Sequence, residues 1–414
     1  MSNRFNKRKI INDPVYGFIS IPDELTFDLI EHPWFQRLRR IKQLGMTQLV
    51  YPGALHTRFH HALGAMHLMQ LAIESLRLKG LQITNEEAAG AYMAILLHDI
   101  GHGPYSHALE KSIVAATSHE DLSVLFMQAL NKQFDNKLLI ALAIFNNTYP
   151  KHFLHQLVAS QLDMDRLDYL KRDSFFTGVS EGVISTDRII KMLNVHNDEL
   201  VVEAKGIYSI EKFIIARRLM YWQVYYHKTV VGAEQLIINI LQRAKWLAEN
   251  KIPLFAPPIL AKFLSKSYNL SSFLSNPGLL DEFAKLDDFD ILTSIKVWCE
   301  HEDPILSVLS KFLINRRLFA VDIRNHEFSP EEIEQLKNKV CDQYVIKPLD
   351  STYFVISGTI TNNAYDPARD KIRLLYKNDQ TIDIAEASDQ LNISILSRVV
   401  SKHYICYPKD LNLP

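Results

Sequence analysis

The chain has 414 residues, of which 47% are hydrophobic and 22% are charged. This composition is typical of a globular protein with a large core, and it excludes a disordered polypeptide. Lysine and arginine total 46 against 47 aspartates and glutamates, so no overall positive field attracts nucleic acid, and nucleic-acid binding is not expected. No apolar run is long enough to cross a membrane. The three widely spaced cysteines form no CxxC pair, which fits a reducing, cytoplasmic location.

The residue pattern divides the chain into four segments. Residues 1–24 carry β-branched and aromatic residues around Asp-Pro and a glycine, which predicts an extended segment with a short β hairpin. Over 25–245 apolar residues recur three and four positions apart, which predicts an all-helical core, and over 246–328 prolines divide a helical extension. Residues 329–414 combine short β-rich runs with the helical pattern SPEEIEQLKNKV, in which Ser329 is the predicted N-cap. The predicted fold class is therefore mainly α, with a small C-terminal α+β domain.

The stretch AYMAILLHDIGHGPYSHALE holds the most informative polar residues. An apolar helix pattern runs directly into His98 and Asp99 and is halted by Gly101, Gly103 and Pro104. Neutral imidazole and carboxylate are both good ligands for a divalent transition metal ion. A single His-Asp pair is more often a hydrogen-bonded cap, but more such groups follow within a short span: His102, His107, Glu110, His119 and Glu120. Clustering this tight favours a functional site over packing.

Two other helical segments carry matching groups. HTRFHHALGAMH contains four histidines: His56, His60, His61 and His67. QLDMDRLDYLKRD contains four aspartates: Asp163, Asp165, Asp168 and Asp173. Each segment alone is equally typical of a solvated helix face. Together with the His-Asp pair they offer the ligands for hydrolysis at phosphorus by metal-activated water, but spacing does not select among them.

The order His61, His98-Asp99, Asp165, within RFHHALG, LLHDIGHGPYSH and DMDRLDYLKRD, resembles the HD superfamily of phosphohydrolases. Within that superfamily the chain is similar to the deoxynucleoside triphosphate (dNTP) triphosphohydrolases, a group that includes the eukaryotic enzymes with a SAM and an HD domain. The similarity extends through DPVYGFI, WFQRLRRIKQLGMTQLVYPGALHTRFHHALG, SHED and YYHK, and it covers residues 12 to 235.

The resemblance implies a divalent metal ion, with Fe, Mn, Mg and Zn all open, and four ligands: His61, His98, Asp99 and Asp165. In the family pattern RFxHxLG the ligand is the second histidine, so the resemblance selects His61 over His60. It also implies that His102 and His119 transfer protons near the leaving oxygen. Glu110, where relatives commonly carry aspartate, is implied to orient an imidazole.

The implied reaction is hydrolysis of a dNTP to deoxynucleoside and inorganic triphosphate, with water attacking the α-phosphorus. Cations and neutral donors hold the phosphate oxygens in such a reaction. The family match gives that task to Arg58, His107, Arg166 and Arg217, with Arg166 standing where relatives often carry lysine. The match gives the sugar pocket, which holds a 3'-hydroxyl and excludes a 2'-hydroxyl, to Gln43, Leu44, Tyr169, Asp173 and Tyr225.

Many relatives are activated by a nucleotide bound between the subunits of an oligomer. Residues at positions similar to that regulatory site are Arg39, Val50, Tyr51, His227 and Lys228. Glu31 and Gln223 replace the usual Asp and Arg of that site, which weakens the match to it. We expect a homo-oligomer, a dimer or a tetramer, because the helical core must still bury its apolar faces.

Two other functions stay open at this point. Another HD activity, such as a 5'-monophosphatase or a phosphodiesterase for cyclic or alarmone nucleotides, would use the same metal site, although the sugar-pocket residues favour a dNTP. A catalytically silent nucleotide sensor or nucleic-acid-binding regulator would use the same core. The intact ligand set, together with His102 and His119, argues against the silent regulator.

Overall fold

The computed structural model describes residues 9–105, 112–114, 117–368, 370–389 and 399–411. Helices dominate up to residue 249: α1 (Glu24–Glu31), α2 (Pro33–Gln36), α3 (Arg58–Leu78), α4 (Asn85–Leu97), α5 (His119–Gln133), α6 (Leu139–Phe145), α7 (His152–Val158), α8 (Met164–Thr177), α9 (Thr186–Met192), α10 (Ile207–Met220) and α11 (Lys228–Glu249). A π-helical turn, Tyr221–Tyr225, joins α10 to α11.

Further helices follow in the extension and the C-terminal region: α12 (Pro258–Ser265), α13 (Leu270–Ser275), α14 (Gly278–Phe283), α15 (Asp288–Trp298), α16 (Pro304–Ile314), α17 (Pro330–Tyr344) and α18 (Ile384–Ala387). Short 3-10 helices lie at Arg37–Arg40, Gly45–Leu49, Ser180–Gly182, Ala204–Gly206 and Pro348–Tyr353. None of the helices in the described part of the chain is both long and apolar enough to cross a membrane. The predicted fold class, mainly α, is confirmed.

The strands are short: β1 (Ile10–Asp13), β2 (Gly17–Ser20), β3 (Leu193–His196), β4 (Glu199–Glu203), β5 (Ala320–Arg324), β6 (Ile356–Asn362), β7 (Arg373–Leu375), β8 (Thr381–Asp383) and β9 (Val400–Tyr407). Strands β1 and β2 form the predicted N-terminal hairpin, with Asp13 opposite Gly17. Gly17 has φ 76°, a left-handed conformation that glycine adopts without strain. The Asp13 Oδ1 atom accepts the main-chain N–H groups of Val15 and Tyr16 at 2.9 and 3.0 Å, which closes the loop.

Helix α3 is the central helix of the core and packs against α4 and α8. Its buried face includes small residues such as Ala62, Gly64 and Ala65, which let neighbouring helices approach closely. Thr57 is its N-cap, and the His60 side chain completes a capping box by accepting the Thr57 N–H at 3.2 Å. This packing brings the start of α3, the end of α4 and the start of α8 together.

Two sheets combine strands from distant parts of the chain. One has the order β3-β4-β7-β8, with β4 and β7 parallel, and the other has the antiparallel order β5-β9-β6. The β3–β4 hairpin interrupts the predicted helical pattern at Asn197 and Asp198, whose φ values of 51° and 63° suit a two-residue turn. Strands on both sides of residue 329 therefore share sheets.

Candidate metal centre and substrate pocket

Four side chains converge where α3, α4 and α8 meet. The Nε2 atom of His61 lies 3.1 Å from Asp165 Oδ1, 3.4 Å from His98 Nε2 and 3.8 Å from Asp99 Oδ2. His98 Nε2 is 3.5 Å from Asp165 Oδ1 and 3.4 Å from Asp99 Oδ1. An ion bonded to nitrogen and oxygen at roughly 2.0–2.2 Å places neighbouring ligand atoms about 3 Å apart. His61, His98 and Asp99 thus offer ligand atoms that all lie within 4.8 Å of one another, a spacing that fits one divalent cation, and Asp165 contacts both imidazoles of that group.

The surroundings of the centre stabilise positive charge. Burial alone lowers the pKa of His61, but Asp165 and Asp168 outweigh it and raise that pKa to about 10. Burial alone raises the pKa of Asp99, but His98, Arg58 and His102 hold it well below its usual value. The same negative charges that hold a proton on the imidazole also favour a metal cation, which can bind in place of that proton.

Both imidazoles are oriented by hydrogen bonds from their Nδ1 atoms. His98 Nδ1 lies 2.6 Å from the carbonyl oxygen of Ile95, and His61 Nδ1 lies 2.7 Å from Asp168 Oδ2. An Nδ1–H that donates to these oxygens leaves the Nε2 lone pair directed at the centre, which is the usual arrangement of metal-bound histidine. Asp168 was noted in the sequence only as one of four clustered aspartates, and its contact with His61 gives it a role.

Helix capping explains why the candidate ligands, and not the similar residues next to them in the sequence, lie at the centre. Asp163 is the N-cap of α8, and its carboxylate accepts the N–H groups of Ser160 and Arg166 at 2.8 and 2.7 Å. The same carboxylate pairs with the Arg166 guanidinium at 2.7 Å. Asp165 lies in the first turn, where its side chain reaches the two imidazoles. On α3 the His60 side chain likewise takes part in the helix cap, whereas His61 lies at the centre.

The turn after Asp99 is held tightly against α5. A Cβ atom on Gly101 would lie 2.2 Å from the carbonyl oxygen of His119 and 2.4 Å from the Ser123 nitrogen, so only glycine fits there. The Ser123 hydroxyl accepts the Gly101 N–H at 2.9 Å and donates to the His98 carbonyl at 2.7 Å. Ser123 was not predicted as a site residue, and no motif in the sequence marks it.

His102 and His119 form a stacked pair beside Asp99. Their ring centroids are 3.7 Å apart, and His102 Nε2 lies 3.4 Å from Asp99 Oδ1. Asp99, His102 and His119 make a second group whose ligand atoms lie within 4.8 Å of one another. Burial and then Arg58, which pairs with Asp99, lower the pKa of His102 well below its usual value. The predicted residues His107 and Glu110 lie outside the described residues.

Of the predicted sugar-pocket residues, Tyr225 contacts the buried carboxylate of Asp173, and Tyr169 contacts Tyr225. Tyr225 donates its hydroxyl to Asp173 Oδ2 at 2.7 Å, and its ring contacts that of Tyr169 edge to face. His56 Nε2 lies 2.7 Å from Asp173 Oδ1, and the His56 carbonyl accepts the N–H of Gln43 at 3.0 Å. Leu44 follows Gln43 in the chain. His56 had no assigned role in the sequence, although it belonged to the histidine cluster.

Some polar atoms of predicted substrate residues are buried and have no hydrogen-bond partner within the described part of the chain. They are the Oε1 atom of Gln43 and the Nε atoms of Arg166 and Arg217. The Arg217 Nη1 atom donates to Gln161 Oε1 at 3.0 Å. Leaving a buried donor or acceptor unpaired costs about 1 to 3 kcal/mol. A bound ligand, water or ion is one way in which the hydrogen bonding of such an atom is completed.

Two residues of the predicted regulatory site, Tyr51 and His227, contact each other. Tyr51 donates its hydroxyl to the Gln223 carbonyl at 2.5 Å, and its ring contacts His227 edge to face. His227 is the N-cap of α11, so Lys228 follows it at the helix start, and Val50 precedes Tyr51. Arg39 instead lies over the Phe59 ring, 3.5 Å from its centroid. The nucleotide-binding role of these residues stays a prediction.

Known proteins match the chain at these same elements. The family model described as HD domain matches residues 58–173, and the model described as HD associated region matches residues 184–250. A crystal structure described as a phosphohydrolase from Bacteroides thetaiotaomicron is 53% identical and superposes with a TM-score of 0.94, covering 97% of this chain and 100% of that one. These matches, together with the buried His and Asp centre, place the chain in the class of HD-domain hydrolases. The chain belongs to the HD superfamily of phosphohydrolases, as the sequence predicted.

Relatives that are similar in sequence include one called uncharacterized and others that carry an enzyme's name. The uncharacterized protein YwfO of Bacillus subtilis is 32% identical, over 99% of this chain and 94% of its own length. A Dictyostelium discoideum protein named deoxynucleoside triphosphate triphosphohydrolase SAMHD1 homolog is 32% identical over 57% of this chain and 49% of that protein. The Gallus gallus protein named deoxynucleoside triphosphate triphosphohydrolase SAMHD1 is 28% identical over 57% of this chain and 45% of its own length.

Proposed function

We propose that the protein is a metal-dependent dNTP triphosphohydrolase that releases a deoxynucleoside and inorganic triphosphate. The observation that carries the proposal is that Gln43 Oε1 and the Nε atoms of Arg166 and Arg217 are buried and have no hydrogen-bond partner in the described part of the chain. They belong to residues to which the family resemblance gives the sugar and the phosphate. The names of the Dictyostelium and chicken relatives support the same substrate class.

The residues proposed to bind the divalent metal ion are His61, His98, Asp99 and Asp165. Imidazole ligands suit iron and zinc, and carboxylates suit manganese and magnesium. The mixed donor set therefore favours Mn²⁺ or Fe²⁺ as the resident ion over Mg²⁺, which prefers oxygen ligands. When bound, such an ion lowers the pKa of water and offsets charge on the attacked phosphate.

Arginines hold the triphosphate in this proposal. Arg58 pairs with Asp99 and so lies at the centre itself. Arg166 and Arg217 offer the buried Nε–H groups, and a guanidinium fork matches the geometry of phosphate oxygens. His107 adds a further phosphate contact. Because the chain has no overall positive charge, these few local cations determine where the anionic substrate binds.

The sugar is held by the group around Asp173. The Gln43 Oε1 atom accepts the 3'-hydroxyl, and Asp173, Tyr225, Tyr169 and Leu44 enclose the ring closely enough to exclude a 2'-hydroxyl. A site built to hydrogen-bond a hydroxyl strongly rejects an analogue without it, because its own buried groups are then left unpaired.

Proton transfer to the leaving 5'-oxygen falls to His102 and His119, with Glu110 orienting an imidazole. Burial and then the charge of Arg58 lower the pKa of His102. A bound triphosphate adds negative charge nearby, which raises that pKa and favours the protonated imidazole that a general acid requires. Water attacks the α-phosphorus, the bond between phosphorus and the 5'-oxygen breaks, and the oxygen takes the proton.

The proposal is tested by incubating purified protein with each dNTP and each ribonucleotide in the presence of Mn²⁺, Fe²⁺ or Mg²⁺. We expect deoxynucleoside and triphosphate from dNTPs, and far slower turnover of ribonucleotides. Orthophosphate as the sole phosphorus product indicates a phosphatase instead. Tight nucleotide binding without any turnover indicates a silent sensor.

We further propose a cytoplasmic homo-oligomer, a dimer or a tetramer, with an activating nucleotide held near Arg39, Val50, Tyr51, His227 and Lys228. Light scattering coupled to gel filtration, with and without GTP or a dNTP, measures the subunit number. A monomer at all concentrations contradicts the oligomer, and an unchanged rate at saturating GTP and dNTP contradicts activation.

A further inference from the structure

A chain of buried charges connects the N-terminal hairpin to the centre. Arg172 on α8 is fully buried and lies between the carboxylates of Asp13 and Asp168, which are 6% and 0% exposed. Its Nη1 atom donates to Asp13 Oδ2 at 2.7 Å, and its Nε and Nη2 atoms donate to the two oxygens of Asp168 at 2.9 and 3.0 Å. One guanidinium thus bridges two carboxylates that are far apart in the sequence.

Asp168 connects the Arg172 guanidinium to the candidate ligand His61. Its Oδ2 atom lies 2.7 Å from His61 Nδ1 and also accepts the Arg172 Nε–H. The carboxylate is therefore fixed from one side by the guanidinium while it fixes the imidazole on the other. A carboxylate held in this way sets both the tautomer and the ring orientation of the histidine.

The far end of the chain of charges is part of the hairpin loop. The carboxylate of Asp13 that pairs with Arg172 also accepts the N–H groups of Val15 and Tyr16 through its Oδ1 atom. The Tyr16 ring covers the guanidinium of Arg172, with 5.5 Å between the guanidinium carbon and the ring centroid. The loop of the hairpin is thereby folded around the same arginine that orients Asp168.

We propose that Asp13 and Arg172 are positioning residues of the metal centre, acting on His61 through Asp168. The inference rests on the proposed metal site, and it makes the N-terminal hairpin part of that site. When Asp13 is replaced by a neutral residue, the buried Arg172 loses one of its two anionic partners. The Arg172 guanidinium is then held by Asp168 alone, and its orientation against that carboxylate is less firmly fixed. His61 then loses a fixed acceptor for its Nδ1–H.

Titration of the metal-free protein with Co²⁺, followed by visible absorption, tests the proposal without any nucleotide. Loss of a partner that orients a metal ligand typically weakens metal binding by about 10- to 100-fold. We expect about 100-fold weaker Co²⁺ binding in Asp168→Asn and about 10-fold weaker binding in Asp13→Asn, since an asparagine Oδ1 still closes the hairpin loop. Arg172→Lys keeps the charge but lacks the fork, and we expect about 10-fold weaker binding there too.

Asp303→Asn is the matched control. Asp303, a helix N-cap, likewise pairs with a buried arginine, Arg243, through bonds of 2.6 and 3.1 Å. We expect this variant to bind Co²⁺ as the parent protein does. A second readout is the proton NMR signal of the His61 Nδ1–H in the Co²⁺ protein, which should exchange faster with water in Asp13→Asn and Arg172→Lys.

Equal Co²⁺ affinity and equal proton exchange in the parent protein, Asp13→Asn and Arg172→Lys would overturn the positioning role. Should Asp13→Asn fail to fold, Arg172→Lys decides the outcome by the same two measurements. A parent protein that binds no Co²⁺ overturns the metal centre and the positioning role together. Absence of dNTP turnover with normal Co²⁺ binding bears on the proposed substrate alone.

Discussion

The Nη2 atom of Arg37 donates a hydrogen bond to the main-chain carbonyl of His102 at 2.9 Å, and also to that of Ile100 at 2.8 Å. The Arg37 side chain is fully buried, and its Nη1 atom donates to the carbonyl of Phe283 in α14 at 3.3 Å. A buried guanidinium that donates to main-chain carbonyls fixes the turn after Asp99 against the helical extension. The extension therefore supports the catalytic core directly.

Replacing Arg37 by methionine should destabilise the protein strongly. The variant leaves three main-chain carbonyls without their donor, and each unpaired buried group costs about 1 to 3 kcal/mol. We expect the free energy of unfolding, measured by urea denaturation, to fall by about 3 kcal/mol or more. Arg39→Lys, two positions away and exposed, should change it by less than about 0.5 kcal/mol. Equal small losses in both variants contradict the role given to Arg37.

Gly64→Ala should disrupt the packing of α3 on α8. A Cβ atom at this position would lie 2.0 Å from Asp168 Oδ1 and 2.1 Å from Arg172 Nη2. Both atoms are held by ion pairs, so the helices must separate, which costs about 3 kcal/mol. Thermal and urea denaturation should show this loss, together with weaker metal binding. Gly278→Ala is the control, because its Cβ would meet only Asn276 Oδ1 at 3.4 Å.

The sequence predicted the helical core, the N-terminal hairpin and the start of α17, where Ser329 accepts the Glu332 N–H at 3.2 Å as an N-cap does. These features depend on local patterns. The sheets could not be predicted in the same way, because β4 and β7 pair in parallel although they are distant in the chain. The β3–β4 hairpin did have a local signal in Asn197-Asp198, which the strong helical pattern on either side obscured.

Some parts of the candidate site could be predicted from the sequence and others could not. Motifs located the three clusters, but choosing His61 and Asp165 required a family resemblance. Helix capping rules could also have selected His61 and Asp165. His60 and Asp163 stand at positions whose side chains form hydrogen bonds with the main chain at the start of a helix. Asp13 and Arg172 are 159 residues apart, and only the tertiary packing of the hairpin on α8 brings them together.

Asp165→Ala and Asp163→Asn should separate metal binding from capping. Asp165→Ala removes a candidate ligand, so we expect loss of bound metal and of turnover with the helical circular dichroism retained. Asp163→Asn keeps the cap acceptor but loses the charge beside Arg166, so we expect a stability loss of about 1 kcal/mol with metal content unchanged. Metal analysis of purified variants measures this. Full metal occupancy in Asp165→Ala and in His61→Ala contradicts the ligand assignment.

Gln43→Leu should reduce discrimination at the 3'-position of the sugar. The parent protein is expected to prefer dNTPs to 2',3'-dideoxynucleotides, because the 3'-hydroxyl pairs with the buried Oε1 atom of Gln43. Losing that bond should lower kcat/KM for dNTPs about 10-fold and leave dideoxynucleotides nearly unaffected. Gln70→Leu, which removes a bond to the Ser20 carbonyl on the hairpin, should keep the preference. Unchanged preference in Gln43→Leu places the sugar elsewhere.

The most direct test of the central claim follows the α-phosphorus. Protein loaded with Mn²⁺ is incubated with a dNTP labelled with ³²P at the α-position, and the products are separated by anion exchange. Hydrolysis between the α-phosphorus and the 5'-oxygen, as proposed, places all of the label in inorganic triphosphate and none in nucleotide. Label that stays in a deoxynucleoside mono- or diphosphate contradicts the proposed reaction.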